Sequence, residues 1–326
     1  MLSAGMAKRF GGCKPLAPVG IHGEAIIDLT ASDAYAAGFR RIVVVVGPAT
    51  GPAITYHLQR VWPPFVDTVT AIQPVPLGTA HALLCAKAAV GAGPFAVVNA
   101  DDVYGTDALR LLAEHLMARS DVLVAFHLAD TVLTGDPVTR GVCVAGGMRG
   151  PAAGAGGGAG AGGGAGAGGG AGAGGGAGEA VGRLVGITER RKVTRHDDGS
   201  FSAGDGLDPA QLDPMVLVSM NLWGFQPGVW DLIEEAVALD HPEIGSDGSV
   251  TVESGSVASG SVASEDETLL PEVIGKAVTD DRIEVALVAA QGRCVGVTHA
   301  DDLALARAEI ARMTGRGERP ERLWEA

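Results

Sequence analysis

The chain has 326 residues, enough for one large domain or two small ones. Its 24 Lys and Arg against 38 Asp and Glu leave a formal charge of −14, which disfavours nucleic acid and anionic membranes as partners. The four cysteines (Cys13, Cys85, Cys143 and Cys294) stand alone, without CxxC or Cys/His spacing, which argues against a disulfide framework or zinc site and for a reducing, cytoplasmic setting.

The chain opens on SAGMAKRFGGCKPL, Ser3 to Leu16, where glycines are interleaved with Lys8, Arg9 and Lys14. Glycines let backbone N–H groups approach phosphate oxygens, Arg9 can fork two oxygens, and Lys14 can act as a point charge. No Ser or Thr follows Lys14, so this is not a Walker A loop. The competing reading is a solvated glycine turn. Glu24 to Phe39 reads as a helix with Gly38 at its end, and Arg41 to Val46 as a buried strand. That apolar run is far short of the about 20 residues a membrane span needs, and the first residues lack the apolar core of a signal peptide.

Gln73 to His81, QPVPLGTAH, joins a strand to a helix over Thr79 to Val90. The free N–H groups of that helix start could meet an acceptor, and Gln73 could offer a donor and an acceptor to a base edge. A plain helix start with Thr79 as N-cap is an equal reading. Phe95 to Asn99 reads as a strand ending in Asn99-Ala100-Asp101-Asp102. Two carboxylates at a strand end need a counter-ion, and Mg²⁺ favours one or two carboxylates plus phosphate oxygens; alternatively, Asp102 caps the next helix. That helix runs from Asp107 to Arg119, and a strand from Asp121 to Leu128 follows.

Gly150 to Gly178 is almost wholly Gly and Ala and is expected to be a disordered insertion. Its formal GxGxxG (Gly158, Gly160, Gly163) has no strand before it and no helix after it, so it does not support a dehydrogenase. Met215 to Phe225 reads as one strand, Gly228 to Leu239 as a helix, Ser246 to Glu267 as a second solvated insertion, Ile283 to Val288 as a strand and Asp301 to Met313 as a helix. The alternation predicts an α/β fold, with a mostly parallel sheet covered by helices on both faces. It divides into two halves of one domain, 1–149 and 179–326.

In order and spacing these segments resemble the sugar-1-phosphate nucleotidyltransferases. Gly5, Arg9, Lys14 and Pro15 satisfy that family's G-x-x-x-R-x-x-x-x-K-P signature. PLGTAHAL resembles its base-contacting helix start and NADDVYG its metal-aspartate strand end, while SMNLWGF and GVTHADD look like the sugar-side segments of one bacterial-type branch. The resemblance implies a glycosyltransferase-A-like, Rossmann-like fold that joins a nucleoside triphosphate to a sugar 1-phosphate with release of pyrophosphate. It assigns nucleotide binding to the first half, 1–149, and sugar binding to the second, 179–326. By position, Arg9 and Lys14 are the catalytic cations. Ala4, Gly5, Met6, Gln73, Gly78 and Thr79 would meet the nucleotide, Glu189 and Asn221 the sugar, and Asp101 and Asp302 the Mg²⁺. Asp302 reads equally as a helix N-cap, with Asp301 beside it as a second candidate. Only Met1 to Ala4 stand where the family has a full hydrophobic strand, so the first strand is expected to be truncated. Alternative readings are nucleotidyl transfer to a cofactor phosphate or phosphocholine, and a non-catalytic nucleotide-sugar-binding regulatory protein.

Overall fold

A computed structural model describes residues 1–5, 12–132, 134–147, 180–250, 267–297 and 302–324. The Gly150–Gly178 tract, residues 251–266 of the second insertion, and Met6, Arg9 and Asp301 lie outside the described residues.

The first half alternates strand and helix as β1 (Leu2–Ser3), α1 (Ile26–Ala36), β2 (Arg41–Val46), α2 (Gly51–Val61), β3 (Asp67–Ile72), α3 (Thr79–Val90) and β4 (Phe95–Val97). β2 is all β-branched after its first residue and lies between parallel neighbours β1 and β3. Both its faces are covered: Val44 and Val46 pack with Ile27 and Ala31 of α1 and Ile54 of α2, whereas Val45 packs with Ala82 and Ala86 of α3. That double burial is why the strand reads as a continuous apolar run. α1 starts where the Asp28 carboxylate reaches back to Ala25 N–H (3.0 Å) while also binding Trp62 Nε1 (2.8 Å) and His57 Nε2.

The chain continues through β5 (Asp102–Val103), α4 (Thr106–Met117), β6 (Asp121–His127), β7 (Val138–Gly146), β8 (Ala180–Arg195), β9 (Phe201–Ala203), β10 (Gln211–Leu212), β11 (Leu217–Ser219) and β12 (Trp223–Phe225). It closes with α5 (Val229–Asp240), α6 (Leu270–Thr279), β13 (Val285–Ala289), β14 (Val295–Gly296) and α7 (Asp302–Gly315). A nine-stranded sheet runs β10-β9-β8-β7-β11-β6-β12-β4, with β13 paired to β6 and β8. Helices cover both faces of it. Leu123 and Ala125 of β6 face α3, α5 and α6, while Val122, Val124 and Phe126 face α4.

The expectation of a mostly parallel sheet holds for β1, β2 and β3 and needs correcting for the larger sheet. There β6 and β13 run parallel, and the other pairings are antiparallel. Hairpins such as β7–β8 need no crossover helix, so the second half departs from simple alternation. The single strand expected over Met215 to Phe225 is two strands. Asn221 sits at φ +59° and breaks the ladder, so β11 lies between β7 and β6 while β12 lies between β6 and β4. The second insertion is not wholly solvated either: Gly248 is buried against Cys85, and its carbonyl accepts from His81 Nε2 at 3.1 Å.

β1 is short but central. Leu2 N–H donates to Val98 O (2.8 Å), Leu2 O accepts from Ala100 N–H (3.0 Å), and Val45 N–H donates to Met1 O (2.9 Å). These bonds join the two sheets in the order β3-β2-β1-β4. Connections leave β1 and β4 in opposite directions, which opens a crevice at their carboxyl ends, where open α/β sheets bind ligands.

Candidate active site

A cavity of about 420 Å³ lies at this crevice. It is lined by the end of β1 (Ser3, Ala4, Gly5), by Lys14, by Gln73, Gly78 and Thr79, by Asn99 and Asp101, and by Asn221. The described residues predicted for nucleotide and phosphate, and Asp101, therefore converge on one site. The backbone explains part of this. Gly47, just after β2, lies so close to Ala4 that a Cβ there would stand 2.8 Å from Ala4 O. Pro15 fixes the start of a short 3₁₀ turn, Lys14–Leu16, and the Lys14 side chain leaves it towards the crevice.

Lys14 Nζ binds Asp101 Oδ2 at 2.7 Å, with the two side chains 19% and 30% exposed. Asp102 points elsewhere. It is buried in β5, its Oδ2 accepts from Asn99 Nδ2 at 2.9 Å, and Gly296 of β14 packs on its other oxygen. Burial first, and then the charge of Asp101, push its carboxyl above the ordinary range. The alternative role of Asp102 as a helix cap is not what the fold shows, because Gly105 caps α4.

Gln73 is nearly buried, and its amide nitrogen donates to Gly78 O at 2.9 Å. Because a carbonyl only accepts, that bond fixes the amide orientation and leaves the oxygen as the group Gln73 can offer a base. Gly78, at φ +95°, is the N-cap of α3 in place of Thr79, and a Cβ on it would collide with Thr268 O. The helix start is already partly satisfied by the protein itself. Ala80 N–H donates to Thr268 O, and Thr79 Oγ1 accepts from Leu270 N–H at 2.8 Å. This strap of residues 267–270, including cavity-lining Glu267, has no motif in the sequence to mark it, because it returns from about 190 residues away.

Asn221 lines a second cavity of about 590 Å³ as well, together with Thr188, Glu189, Ser219, Glu272 and Lys276. Glu189 is held at the wall by Arg191 Nε at 3.2 Å. Burial, then the neighbouring Glu189 charge, raise the Glu272 carboxyl above its ordinary range. Glu272 carries no local sequence signal; it belongs to α6, a helix between the second insertion and β13 that stands outside the elements expected from the sequence. Asp302, at the start of α7, is buried and lines neither cavity. Among the described residues no three His, Cys, Asp or Glu cluster as a metal site. Asp101 nevertheless suits a cation completed by phosphate oxygens and water, since its carboxylate already holds a cation, the Lys14 ammonium.

Residues 1–153 match the family model described as MobA-like NTP transferase domain. The chain is a nucleotidyltransferase. No curated protein matches its sequence. Among solved structures, UDP-glucose pyrophosphorylase from Acinetobacter baumannii superposes with TM-score 0.57 at 18% identity, covering 99% of this chain and 94% of that one. A UTP-bound form of that organism's UGPase gives 0.55 at 16%, covering 94% and 90%. A UDP-glucose pyrophosphorylase complexed with UDP-glucose gives 0.57 at 14%, covering 95% and 97%. Identities this low speak to fold, and the fold is the glycosyltransferase-A-like one that the sequence motifs imply. No helix among the described residues of the nucleotidyltransferase is long and apolar enough to cross a membrane.

Proposed function

We propose that this nucleotidyltransferase joins a nucleoside triphosphate to a sugar 1-phosphate, releases pyrophosphate and uses Mg²⁺. The observation that carries this reading is Asn221, which lines both the phosphate-side cavity and its polar neighbour. The neighbouring cavity offers Thr188, Ser219, Glu189 and Glu272, groups that suit a ring of hydroxyls. None of the described residues that line it is aromatic, so among them it lacks the cage that a trimethylammonium acceptor such as phosphocholine would call for. Neighbours named for UTP and UDP-glucose support the same substrate class.

In this reading an oxygen of the sugar phosphate attacks the α-phosphorus. One P–O bond forms, the α–β bridging P–O bond breaks, and the electron pair leaves with pyrophosphate. The protein positions and neutralises, with no covalent intermediate. Lys14, together with Arg9 by its place in the motif, would meet the phosphates. The Gln73 oxygen would accept from a base N–H, and the bare backbone of Gly78 would lie against the base. Bound Mg²⁺, held through Asp101, would neutralise triphosphate charge. Incubating the protein with pooled sugar 1-phosphates, each nucleoside triphosphate in turn and Mg²⁺ should release pyrophosphate in at least one combination. Release only with non-sugar phosphate acceptors would overturn the acceptor assignment.

A further inference from the structure

The Lys14–Asp101 pair joins the cation expected to meet phosphate to the carboxylate expected to meet the metal. Resting on the function proposed above, we infer that Lys14 is an internal placeholder for the metal ion, so that metal and triphosphate bind cooperatively by exchange of its ammonium. Until another cation reaches Asp101, Lys14 neutralises it. A divalent ion on the same carboxylate repels the ammonium with twice the force of a monovalent one at equal distance. The flexible four-carbon stem then lets Lys14 turn to the phosphates. Asp102 cannot receive it instead, since that carboxyl is buried against Asn99 and Gly296.

Either ligand alone therefore leaves one charge behind. Metal without phosphate strips Lys14 of its partner, and phosphate without metal strips Asp101 of its own. The two side chains are about one-fifth and one-third exposed, so solvent and salt screen this competition less than they would on an open surface. Linkage requires the coupling to be reciprocal: whatever factor the metal contributes to triphosphate affinity, triphosphate contributes to metal affinity.

The test uses Mn²⁺ alone and, separately, inorganic tripolyphosphate in EDTA, both titrated calorimetrically into wild type, Lys14→Met, Asp101→Asn and the double variant. Lys14→Met is expected to bind Mn²⁺ at least about fivefold more tightly than wild type, and tripolyphosphate at least about fivefold more weakly, the lower end of ordinary coupling. Asp101→Asn should tighten tripolyphosphate binding by a similar factor in the wild-type background and have little effect in the Lys14→Met background, because Asp101 acts through Lys14. Unchanged Mn²⁺ affinity in Lys14→Met, or equal tightening by Asp101→Asn in both backgrounds, overturns the exchange. It leaves the proposed function standing, provided tripolyphosphate still binds through Lys14. Failure of tripolyphosphate to bind wild type overturns the proposed function and this inference with it. A readout that needs no variant is the Lys14 ¹⁵Nζ resonance, which should lose its ion-paired signature on saturation with Mg²⁺ alone; an unaltered resonance overturns the exchange.

Discussion

Asp101 and Asp102 are neighbours in sequence whose carboxyl groups meet different surroundings, one facing the cavity beside Lys14 and the other buried against Asn99 and Gly296. Asp101→Asn should abolish Mg²⁺-dependent turnover with the melting temperature nearly unchanged, because the amide keeps the shape and loses the charge. Asp102→Asn should retain most activity. Initial rates and thermal melts of both variants check this, and the reverse order of effects would place the essential carboxylate one residue later. A second pair was invisible as a motif: Arg190 binds Asp205 through Nε (2.7 Å) and one terminal nitrogen (3.1 Å), anchoring the loop after β9. Residues alternate along β8, so this grip also turns Glu189 to the opposite face, towards the cavity it lines with Asn221. The Arg190 hydrogen bonds hold the Asp205 carboxyl below its ordinary 3.8. The folded state therefore binds fewer protons than the unfolded chain just below that value, and the pair's contribution is complete above about pH 5 and lost as pH falls further. Asp205→Asn should melt several degrees lower than wild type at pH 7, and the gap should begin to narrow only below about pH 4 and shrink progressively as the pH falls further. A gap independent of pH would remove the ion pair from the explanation. The residues legible in the sequence were those in short contiguous motifs, such as Lys14, Gly78 and Asp101. Glu272, Thr268 and Asp205 were not, because their roles come from partners that only the fold brings near.

The elements followed the same division. β2 and α3 have the predicted bounds, since an uninterrupted β-branched run and an Ala/Leu-rich helix between Gly78 and Gly91 carry their signals locally. The break at Asn221 was missed because the apolar pattern continues across it, and only a left-handed backbone at that residue reveals two strands. The β7–β8 hairpin was missed for a different reason: the Gly/Ala tract separates its arms by more than 30 residues, and no turn signal marks them as partners. In the structure the arms pair as far as Gly146 opposite Arg183, so their register is set before the connection begins. Deleting Ala152 to Gly178 and leaving a short flexible turn shortens that connection roughly fivefold. Closure entropy of about 0.6 kcal/mol per doubling then favours the deletion by no more than about 1.5 kcal/mol. Activity should be unchanged, and the melting temperature equal or slightly higher. A fall of more than a few degrees would show that the tract makes contacts the hairpin depends on.

For the whole molecule, the α/β class and the site at a strand-end crevice were legible, whereas the mainly antiparallel second half was not, because hairpin pairing depends on distant partners. The two sheets meet at the two residues of β1, and below Met1 a groove of about 320 Å³ runs between β2 and β4. Its walls include Val43, Val45, Leu83, Val90, Phe95 and Leu109. Ladder alternation turns backbone groups of Val43 and Ala96 into it, and Val43 O receives the Met1 N–H at 2.8 Å. The groove has the apolar walls and the paired edges of a slot for one more stretch of parallel strand. Whether such a stretch would be stabilising is a close balance. Ordering five residues costs about 5–10 kcal/mol. Against this stand about 1.5–3 kcal/mol for each of two or three buried side chains, and about 0.5–1.5 for each hydrogen bond on the two edges. Apolar content therefore decides the sign. A variant with five alternating Val and Ile residues placed before Met1 should melt several degrees above the present chain, with higher turnover, because the loop carrying Lys14 gains a firmer anchor in the sheet. A Gly/Ser extension of equal length, which has no side chains whose burial could offset the ordering cost and so stays out of the groove, should leave both unchanged. Equal melting temperatures for the two extended chains would mean that the groove does not accept a strand, and that the two residues of β1 already give the sheet all the support it uses at this point.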